Sequence, residues 1–336
     1  MYSLDRFSLL NDGLYFLPPD KFVKPKKGEE GDGEWQEQEP IWLCSPIEVS
    51  ALTTDMDASW GKLLRIENYD GVFVEWVMPS RLLANKPELW QLLLDRGLRL
   101  ASTTPHRDLL HHWLNEEKPT GRALVVTRLG WHENEDATMF VRPDEVIGES
   151  DTRIIYQSAA TSNPFKIKGT ADEWREGIGK LCVGNTRMVL GTSMSFAAPL
   201  IFLMGEESFG VHLIGSSRDG KTTVQYVANS TTGSRKGVRS WRATANSLEA
   251  IAEEHCDGLL CLDELGQLDD KAAGDAAYTL ANGLGRSRLR PDASLRRVRD
   301  WQLAFLSTGE ETLTDVLLQG GKVGGQGIRL EGTAGR

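Results

Sequence analysis

A short central stretch combines glycine, lysine and hydroxyl side chains at spacings that suit phosphate chemistry. Gly215, Gly220, Lys221 and Thr222 occupy the four fixed positions of the pattern G-x-x-x-x-G-K-[ST]. In that pattern the N–H groups of a glycine-rich turn surround a triphosphate, the lysine neutralises the outer phosphates and the hydroxyl is offered to magnesium. The sequence therefore predicts a site for ATP and Mg2+. Its predicted cofactor-binding residues are Gly215, Ser216, Ser217, Arg218, Asp219, Gly220, Lys221, Thr222 and Thr223.

An acidic pair follows a second apolar run. Leu259–Leu262 leads into Asp263 and Glu264, and Asp263 lies 42 positions after Lys221. A magnesium-dependent ATPase needs a carboxylate near the metal and a group that orients the attacking water. We expect Asp263 and Thr222 to serve the metal, and Glu264 and Lys221 to be catalytic. Alone, this run would be an ordinary buried strand with a solvated end; its place after a full phosphate pattern favours the catalytic interpretation.

A third apolar run ends in hydroxyl side chains. Leu303–Leu306 precedes Ser307 and Thr308, at the point where a third strand is expected to carry a polar residue that senses the γ-phosphate. Motors that couple movement to hydrolysis often have an asparagine there, and this sequence has hydroxyl residues instead. We predict that Ser307 and Thr308 contact the nucleotide, and a plain strand end is the alternative.

Arginine is concentrated between the second and third apolar runs. Residues 285–299 hold six arginines and one acid. Alternate residues of an extended segment share one face, and Pro291-Asp292 supplies a turn, so the segment suits a hairpin that grips a nucleic-acid backbone. Two other interpretations stay open: an arginine completes a neighbouring subunit's nucleotide site, or the arginines pair with nearby carboxylates. The candidate nucleic-acid contacts are Arg286, Arg288, Arg290, Arg296 and Arg297.

The patterns around these residues predict alternating strands and helices. Val211–Ile214 is a short apolar strand, and Thr222–Asn229 opens a helix whose positive dipole end faces the phosphates. Upstream, a capping box at Thr170 opens one helix, and Asn185 can cap a second. We place here an α/β P-loop NTPase core of helicase or AAA+ type, with a parallel sheet and flanking helices, over residues 167–336.

The first half of the chain has a different texture. Short apolar runs separated by turns predict a β-rich α+β accessory domain over residues 1–166. Asp70-Gly71 predicts the turn of a hairpin, and leucine spacing predicts a helix over Leu82–Arg96. We expect Gly130–His132 to form a turn between later strands.

Three histidines fall in one predicted helix, Pro105–Glu116: His106, His111 and His112. Adjacent residues on a helix point about 100° apart. The pattern favours packing or surface histidines over a metal site.

Composition limits the function classes. The 336 residues suit two domains, and a formal charge of −10 excludes a general attraction to nucleic acid, so any such contact needs a local basic patch. Four scattered cysteines without a C-x-x-C pattern indicate reduced thiols in a cytoplasmic protein. Asp5 and Arg6 interrupt the short apolar stretch in Met1–Leu10, so no secretory signal is visible. Met188–Met204 is short and interrupted by polar residues and Pro199, which favours a buried helix over a membrane span.

Several blocks, read in order, resemble a bacterial family, domain of unknown function 927, found in replication proteins of phage and plasmid type. Besides the phosphate pattern, the blocks are Gly130–His132, Trp241–Glu249, Leu262–Leu265, Leu280–Gly283 and Leu306–Glu310. The resemblance covers nearly the whole chain. It implies an ATPase related to the replicative helicases of mobile elements, often joined to a primase-type module in longer proteins.

The layout is also similar to superfamily 3 helicases, whose basic hairpin lies between the carboxylate strand and the sensor strand. This similarity implies a homo-oligomer, such as a hexameric ring, that acts on single-stranded DNA. It also implies an arginine beyond the sensor strand that reaches the next subunit's nucleotide, and Arg329 is the best placed, with Lys322 behind it. Because the chain stops at Arg336 without a closing element, we expect a fragment of a longer protein. The alternative function is an ATP-switched initiator or assembly module that oligomerises without translocating.

Overall fold

The computed structural model describes residues 2–24, 32–134, 137–157, 165–267, 270–285 and 298–312. The chain divides into two compact units, residues 1–126 with 151–157 and residues 127–150 with 158–336. The sequence predicts a single domain boundary, at residue 166. In the structure, residues 127–150 belong to the second unit. The chain then returns to the first unit over residues 151–157, and from residue 158 onward it belongs to the second unit.

The elements up to residue 157 are mainly strands. They are β1 (Phe7–Leu10), β2 (Gly13–Phe16), β3 (Lys21–Val23), β4 (Glu34–Gln36), β5 (Ile41–Cys44), β6 (Ile47–Asp55), β7 (Trp60–Glu67), β8 (Phe73–Pro79), α1 (Lys86–Asp95), α2 (Thr104–Glu116), β9 (Arg122–Val126), β10 (Gly130–Asn134), β11 (Ala137–Val141), β12 (Val146–Ile147) and β13 (Arg153–Tyr156). Short 3-10 turns cover Leu4–Arg6 and Ser80–Ala84.

The first unit has three sheets. The largest has the order β13-β9-β6-β7-β8, in which β6, β7 and β8 pair antiparallel while β9 and β13 run parallel to β6. The smaller sheets are β1-β2-β5 and β3-β4. The Asp70-Gly71 turn joins β7 to β8 as expected, and Gly71 has the positive φ of 72° that suits glycine.

The core of the first unit explains its helices. Leu89 and Leu93 of α1 and Leu110 of α2 are completely buried in a cluster with Leu64 and Ile66 of β7, at the i, i+4 spacing that an amphipathic helix needs.

Two of the three histidines of α2 make hydrogen bonds to backbone carbonyls. Nε2 of His111 lies 2.8 Å from the Leu83 carbonyl and Nε2 of His112 lies 2.8 Å from the Tyr2 carbonyl. The described residues contain no cluster of three metal-ligating side chains.

The second unit contains, besides β10, β11 and β12, an alternation of helices and strands. They are α3 (Ala171–Trp174), α4 (Lys180–Cys182), α5 (Thr186–Ala197), α6 (Leu200–Met204), β14 (Phe209–Ile214), α7 (Lys221–Asn229), β15 (Arg239–Ser240), α8 (Ala245–Glu254), β16 (Leu259–Asp263), α9 (Asp270–Asn282) and β17 (Ala304–Gly309). A π-helical turn, Arg175–Gly179, joins α3 to α4, and 3-10 turns cover Arg235–Gly237 and Leu265–Gln267.

The four strands β14 to β17 form one parallel sheet in the order β14-β17-β16-β15. Successive residues of β16 face opposite sides: Leu259 and Cys261 join a cluster with Val224 of α7, whereas Leu260 and Leu262 join a cluster with α8 and α9. Both faces are therefore covered by helices, as parallel sheets require. The protein is a mixed α/β structure.

The helices leading to this sheet follow their sequence signals. Thr170 and Glu173 form both arms of a capping box at α3, and the Asn185 side chain accepts a bond from the Met188 N–H at α5. Pro199 separates α5 from α6. Within the described ranges, no helix has the length and apolarity needed to cross a bilayer.

The expectation of a turn at Gly130–His132 is wrong, because these residues begin β10 and pair with β11. Gly130 has φ 88° and is the glycine that the sequence suggested for a turn. The bend lies before the strand, at Thr127 and Arg128, and Gly130 is already its first residue.

Candidate active site

The loop between β14 and α7 carries the phosphate pattern, and its backbone explains its glycines. A Cβ added at Gly220 would meet no heavy atom within 4 Å, so lack of space does not require glycine there. Its φ of 82° does, because the left-handed backbone conformation favours glycine. Gly215 is close to Asp219, whose Oδ2 would lie 2.9 Å from an added Cβ. Arg218 also has a positive φ, 72°. A non-glycine residue held in this region is uncommon and marks a constrained loop.

Lys221 begins α7 and folds back over the loop. Its Nζ donates to the Gly215 carbonyl at 2.6 Å and to the Ser216 carbonyl at 2.8 Å. The ammonium group is therefore held at the N-terminal end of α7, where the helix dipole also favours negative ligands.

The end of β16 meets the start of α7 and the end of β17. The Thr222 hydroxyl lies 3.4 Å from both carboxylate oxygens of Asp263, and the Thr308 hydroxyl donates to Asp263 Oδ1 at 2.5 Å. The Glu264 N–H in turn donates to Thr308 Oγ1 at 3.2 Å. Glu264 has φ 59°, a conformation that costs an L-residue free energy and recurs at functional sites. The predicted metal-serving pair and the predicted base are thus adjacent.

Ser307 and Thr308 point in opposite directions because successive strand residues alternate. Ser307 is buried on the other face, where its hydroxyl lies 2.8 Å from Nδ1 of His212 and accepts a bond of 2.9 Å from Nε1 of Trp241. Burial lowers the pKa of His212. Of the two hydroxyl candidates, only Thr308 meets the acidic pair; Ser307 belongs to a buried network.

Gln225 is a site residue that the sequence analysis missed. It is completely buried on α7, and its Nε2 donates to the carbonyls of Leu262, at 2.8 Å, and Leu306, at 3.0 Å. These carbonyls directly precede Asp263 and Ser307, so Gln225 ties the phosphate-loop helix to two strand ends. A signal existed: Gln225 is a polar residue next to Val224 on the side of α7 that faces the core.

Together these groups border a cavity of about 610 Å3, within the range of small-molecule sites. We call it the polar cleft. It is lined by Ser217, Arg218, Asp219, Gly220, Lys221, Thr222, Thr223, Asp263, Glu264, Gly266, Thr308, Gly309, Glu310 and Glu311. Its hydroxyl and carboxylate oxygens are ligands that Mg2+ prefers, and Mg2+ is usually held by one or two carboxylates together with substrate phosphates. The residues present therefore fit ATP with magnesium.

The remaining predicted site residues lie outside the described ranges. They are Arg286, Arg288, Arg290, Arg296, Arg297 and Arg329. Arg299, at the edge of the same basic segment, is described, and its Nε lies 3.1 Å from Glu253 Oε2. For this one arginine, pairing with a carboxylate is the observed arrangement.

Comparison with solved structures finds chains of similar fold. The chain of "SCCmec type IV Cch - active helicase" matches with a TM-score of 0.70 at 19% identity, over 94% of this chain and 56% of that chain. This protein thus spans about half the length of that relative, and the likeness at this identity is one of fold. "The A form apo structure of NrS-1 C terminal region-CTR" matches with a TM-score of 0.36 at 10% identity, over 79% of this chain and 54% of that chain.

Comparison with curated proteins finds no match. The family described as "Domain of unknown function (DUF927)" matches residues 16–300. The resemblance inferred from the sequence blocks is confirmed, and because the match extends over most of the chain, the protein belongs to the DUF927 family.

Proposed function

We propose that this protein is an ATP-hydrolysing P-loop motor that acts on DNA, as a helicase or translocase of a phage or mobile-element replication system. One observation carries the proposal: Thr222, Asp263 and Thr308 converge in a single cleft beside Lys221. The similar structure is that of a helicase, SCCmec type IV Cch, which supports the same function.

Each residue of the polar cleft has a distinct role in this proposal. Mg·ATP, when bound, supplies a phosphoanhydride bond that water can cleave. Lys221 offsets the charge of the outer phosphates, while Thr222 and Asp263 supply oxygen ligands on the metal side. Glu264 is exposed in the cleft, where its carboxylate can orient water and accept its proton. Thr308 bridges Asp263 and Glu264 and so connects β17 to both.

The parts of the motor that touch DNA and the next subunit are proposed from the sequence. The basic segment with Arg288 at its centre contacts the backbone of single-stranded DNA. Arg329 completes the nucleotide site of a neighbouring subunit in a homo-oligomer such as a hexameric ring. A primase-type module is a proposed linked partner.

The experiment is steady-state ATP hydrolysis with and without single-stranded DNA, on the wild type and on Glu264→Gln. We expect DNA to raise the turnover rate, and the substitution to lower it by about 100-fold or more while ATP still binds. Glu207→Gln is the matched control, because Glu207 is an exposed glutamate of the same unit outside the cleft. If DNA changes neither the rate nor the ATP affinity, the motor proposal fails.

A mass measurement with and without a non-hydrolysable ATP analogue and an oligonucleotide separates the alternative. An ATP-switched assembly module would form nucleotide-dependent oligomers, and Arg288→Ala would leave them and the slow hydrolysis unchanged. A translocating motor would lose its DNA stimulation in Arg288→Ala. A monomer under all conditions would remove the proposed role of Arg329 in a neighbouring site.

A further inference from the structure

A second cavity lies in the second unit, at the amino end of β16, and encloses about 420 Å3. Leu259 lies in its wall, whereas Asp263, at the other end of the same strand, lines the polar cleft. Four aromatic rings stand in this wall: Trp131, Phe140, Phe165 and Phe196. We call it the aromatic cavity. No residue lines both cavities among those the structure describes.

The wall is held in place by specific contacts. The Trp131 indole donates to the Pro199 carbonyl at 2.6 Å, and its backbone N–H donates to Asp257 Oδ2 at 2.8 Å. Asp257 has φ 54°. A Cβ at Gly130 would lie 2.2 Å from Asp257 Oδ2, so only glycine fits there. Contacts that fix Trp131 on two sides make a preformed cavity, the usual state of small-molecule sites.

Among the residues that the structure describes, two buried acceptor atoms in this wall have no hydrogen-bond partner. His255 is 2% exposed, and its Nδ1 lies 2.8 Å from the Ile251 carbonyl. A carbonyl can only accept, so Nδ1 carries the proton and Nε2 presents a lone pair. Burial lowers the pKa of His255 to about 4, which keeps the ring neutral at pH 7. Neither His255 Nε2 nor Asp257 Oδ1 has a hydrogen-bond partner within the described part of the chain, a rare state for buried polar atoms.

We propose that the aromatic cavity binds a small, neutral, flat aromatic molecule that carries an N–H donor. The rings of Phe165 and His255, 5.0 Å apart and tilted by 58°, and those of Trp131 and Phe140, 5.0 Å apart and near perpendicular, present faces and edges that suit a flat ring. The donor on the ligand pairs with His255 Nε2. Burial favours the uncharged forms of His255, Glu254 and Asp257 in this wall. Arg142, which also lines the cavity, is paired with Glu145 at 2.9 Å, so a neutral ligand fits best.

Indole and 1-methylindole are a matched pair of probes, since they differ in the single N–H. Binding to the full chain is measured by saturation-transfer NMR and titration calorimetry. We expect indole to bind with one site per chain and 1-methylindole to bind about tenfold more weakly, because it leaves the histidine acceptor unpaired. His255→Phe should remove that preference, which separates the hydrogen bond from the bulk of the extra methyl group.

Two rim substitutions test the location without disturbing the core. Ile147 and Phe196 lie in the wall and are 51% and 59% exposed, so Ile147→Asp and Phe196→Asp should fold and weaken indole binding at least tenfold. Leu203→Asp is the control: Leu203 is 54% exposed and outside the wall, and its substitution should leave the affinity unchanged. Saturating Mg·ATP should also leave indole affinity within twofold. Absence of indole binding at millimolar concentration, equal affinity for the two probes, or full binding by both rim variants would overturn the proposal.

Discussion

The polar cleft and the aromatic cavity lie at opposite ends of β16 and differ in the burial and hydrogen bonding of their polar groups. In the polar cleft the hydroxyls and carboxylates bond to one another, as Thr308 does with Asp263, and most of the lining is exposed or half-buried. In the aromatic cavity the polar groups are fewer; His255 and Asp257 are deeply buried, and one atom of each is unpaired among the described residues. One end suits a charged ligand that arrives with its metal, and the other a neutral one.

Burial is the physical cause of the difference. It lowers the pKa of His255 to about 4 and raises the pKa values of Asp257 and Glu254, so at the aromatic cavity the protein favours uncharged forms. The carboxyl ends of β16 and β17 instead border the polar cleft, where Asp263 is half-buried and Glu264 is exposed to water. A parallel sheet gathers its strands' carboxyl ends at one edge, and ligand sites of open α/β sheets lie outside that edge.

Lys221→Ala should give the largest difference in ATP turnover between a substitution in the polar cleft and one in the aromatic cavity. Removing the ammonium group takes away the charge beside the outer phosphates, and turnover should fall about 1000-fold. Phe196→Asp, in the aromatic cavity, should stay within twofold of wild type. The measurement is steady-state ATP hydrolysis at saturating ATP. A Lys221→Ala enzyme that keeps a tenth of the wild-type rate would show that hydrolysis takes place elsewhere.

Thr308→Val and Ser307→Ala test the polar cleft and the buried hydrogen-bond network of Ser307 separately. Thr308→Val deletes the hydroxyl that bridges Asp263 and Glu264, and we expect turnover to fall about 50-fold with little change in stability. Ser307→Ala leaves Trp241 and His212 without their shared partner, which should cost about 1–3 kcal/mol of unfolding free energy. Hydrolysis rates and urea unfolding are measured on both variants. The same pattern of losses in both would contradict the opposite orientation of the two side chains.

These two residues also mark the limit of sequence reasoning. The phosphate pattern, the apolar runs and the acidic pair are local signals, and each led to an element of the expected type. The choice between Ser307 and Thr308 depends on which face each residue of β17 presents. A strand buried on both faces is apolar at every position and shows no alternation, so Leu303–Leu306 could not reveal it.

Contacts between distant segments were hidden for another reason. Trp131 and Asp257 meet across 126 positions, and no spacing within either segment indicates that they do. The glycine at position 130 was visible in the sequence, but it suggested a turn, whereas the structure has the first residue of a strand there. The division of the chain was similarly hidden, because residues 127–150 join the second unit through contacts that composition does not reveal.

Lowering the pH should reduce the free energy of unfolding, because His255, in the wall of the aromatic cavity, is buried as a neutral ring. Its folded pKa, about 4, lies below the ordinary value of 6.5, so the unfolded chain takes up the proton first and stability falls as the pH drops from 6.5 to 4. Between pH 7 and pH 5, wild type should lose about 2 kcal/mol more unfolding free energy than His255→Phe. Asp257 and Glu254, whose pKa values are raised, act in the opposite direction in both proteins. Urea titrations at the two pH values measure the difference, and parallel losses in the two proteins would show that His255 is not buried as a neutral ring.

Gln225→Leu should produce the smallest change and show which end of the sheet this residue serves. The substitution removes two donated bonds, to the carbonyls of Leu262 and Leu306, but it also removes the amide oxygen of Gln225, which has no partner within the described residues. The two effects oppose each other, so the net loss of unfolding free energy should be only about 1 kcal/mol.

The functional consequence of Gln225→Leu should be confined to one cavity. Both carbonyls directly precede strand-end residues of the polar cleft or its supporting network, and none of the three residues lines the aromatic cavity. We therefore expect ATP turnover to fall about fivefold, by the small displacement of Asp263 relative to Thr222, while indole affinity stays within twofold. Gln225→Met is the matched variant, because it keeps the length of the side chain but loses the donor. If indole affinity fell as much as turnover in either variant, the two ends of β16 would respond together, and the separation of the two sites would have to be given up.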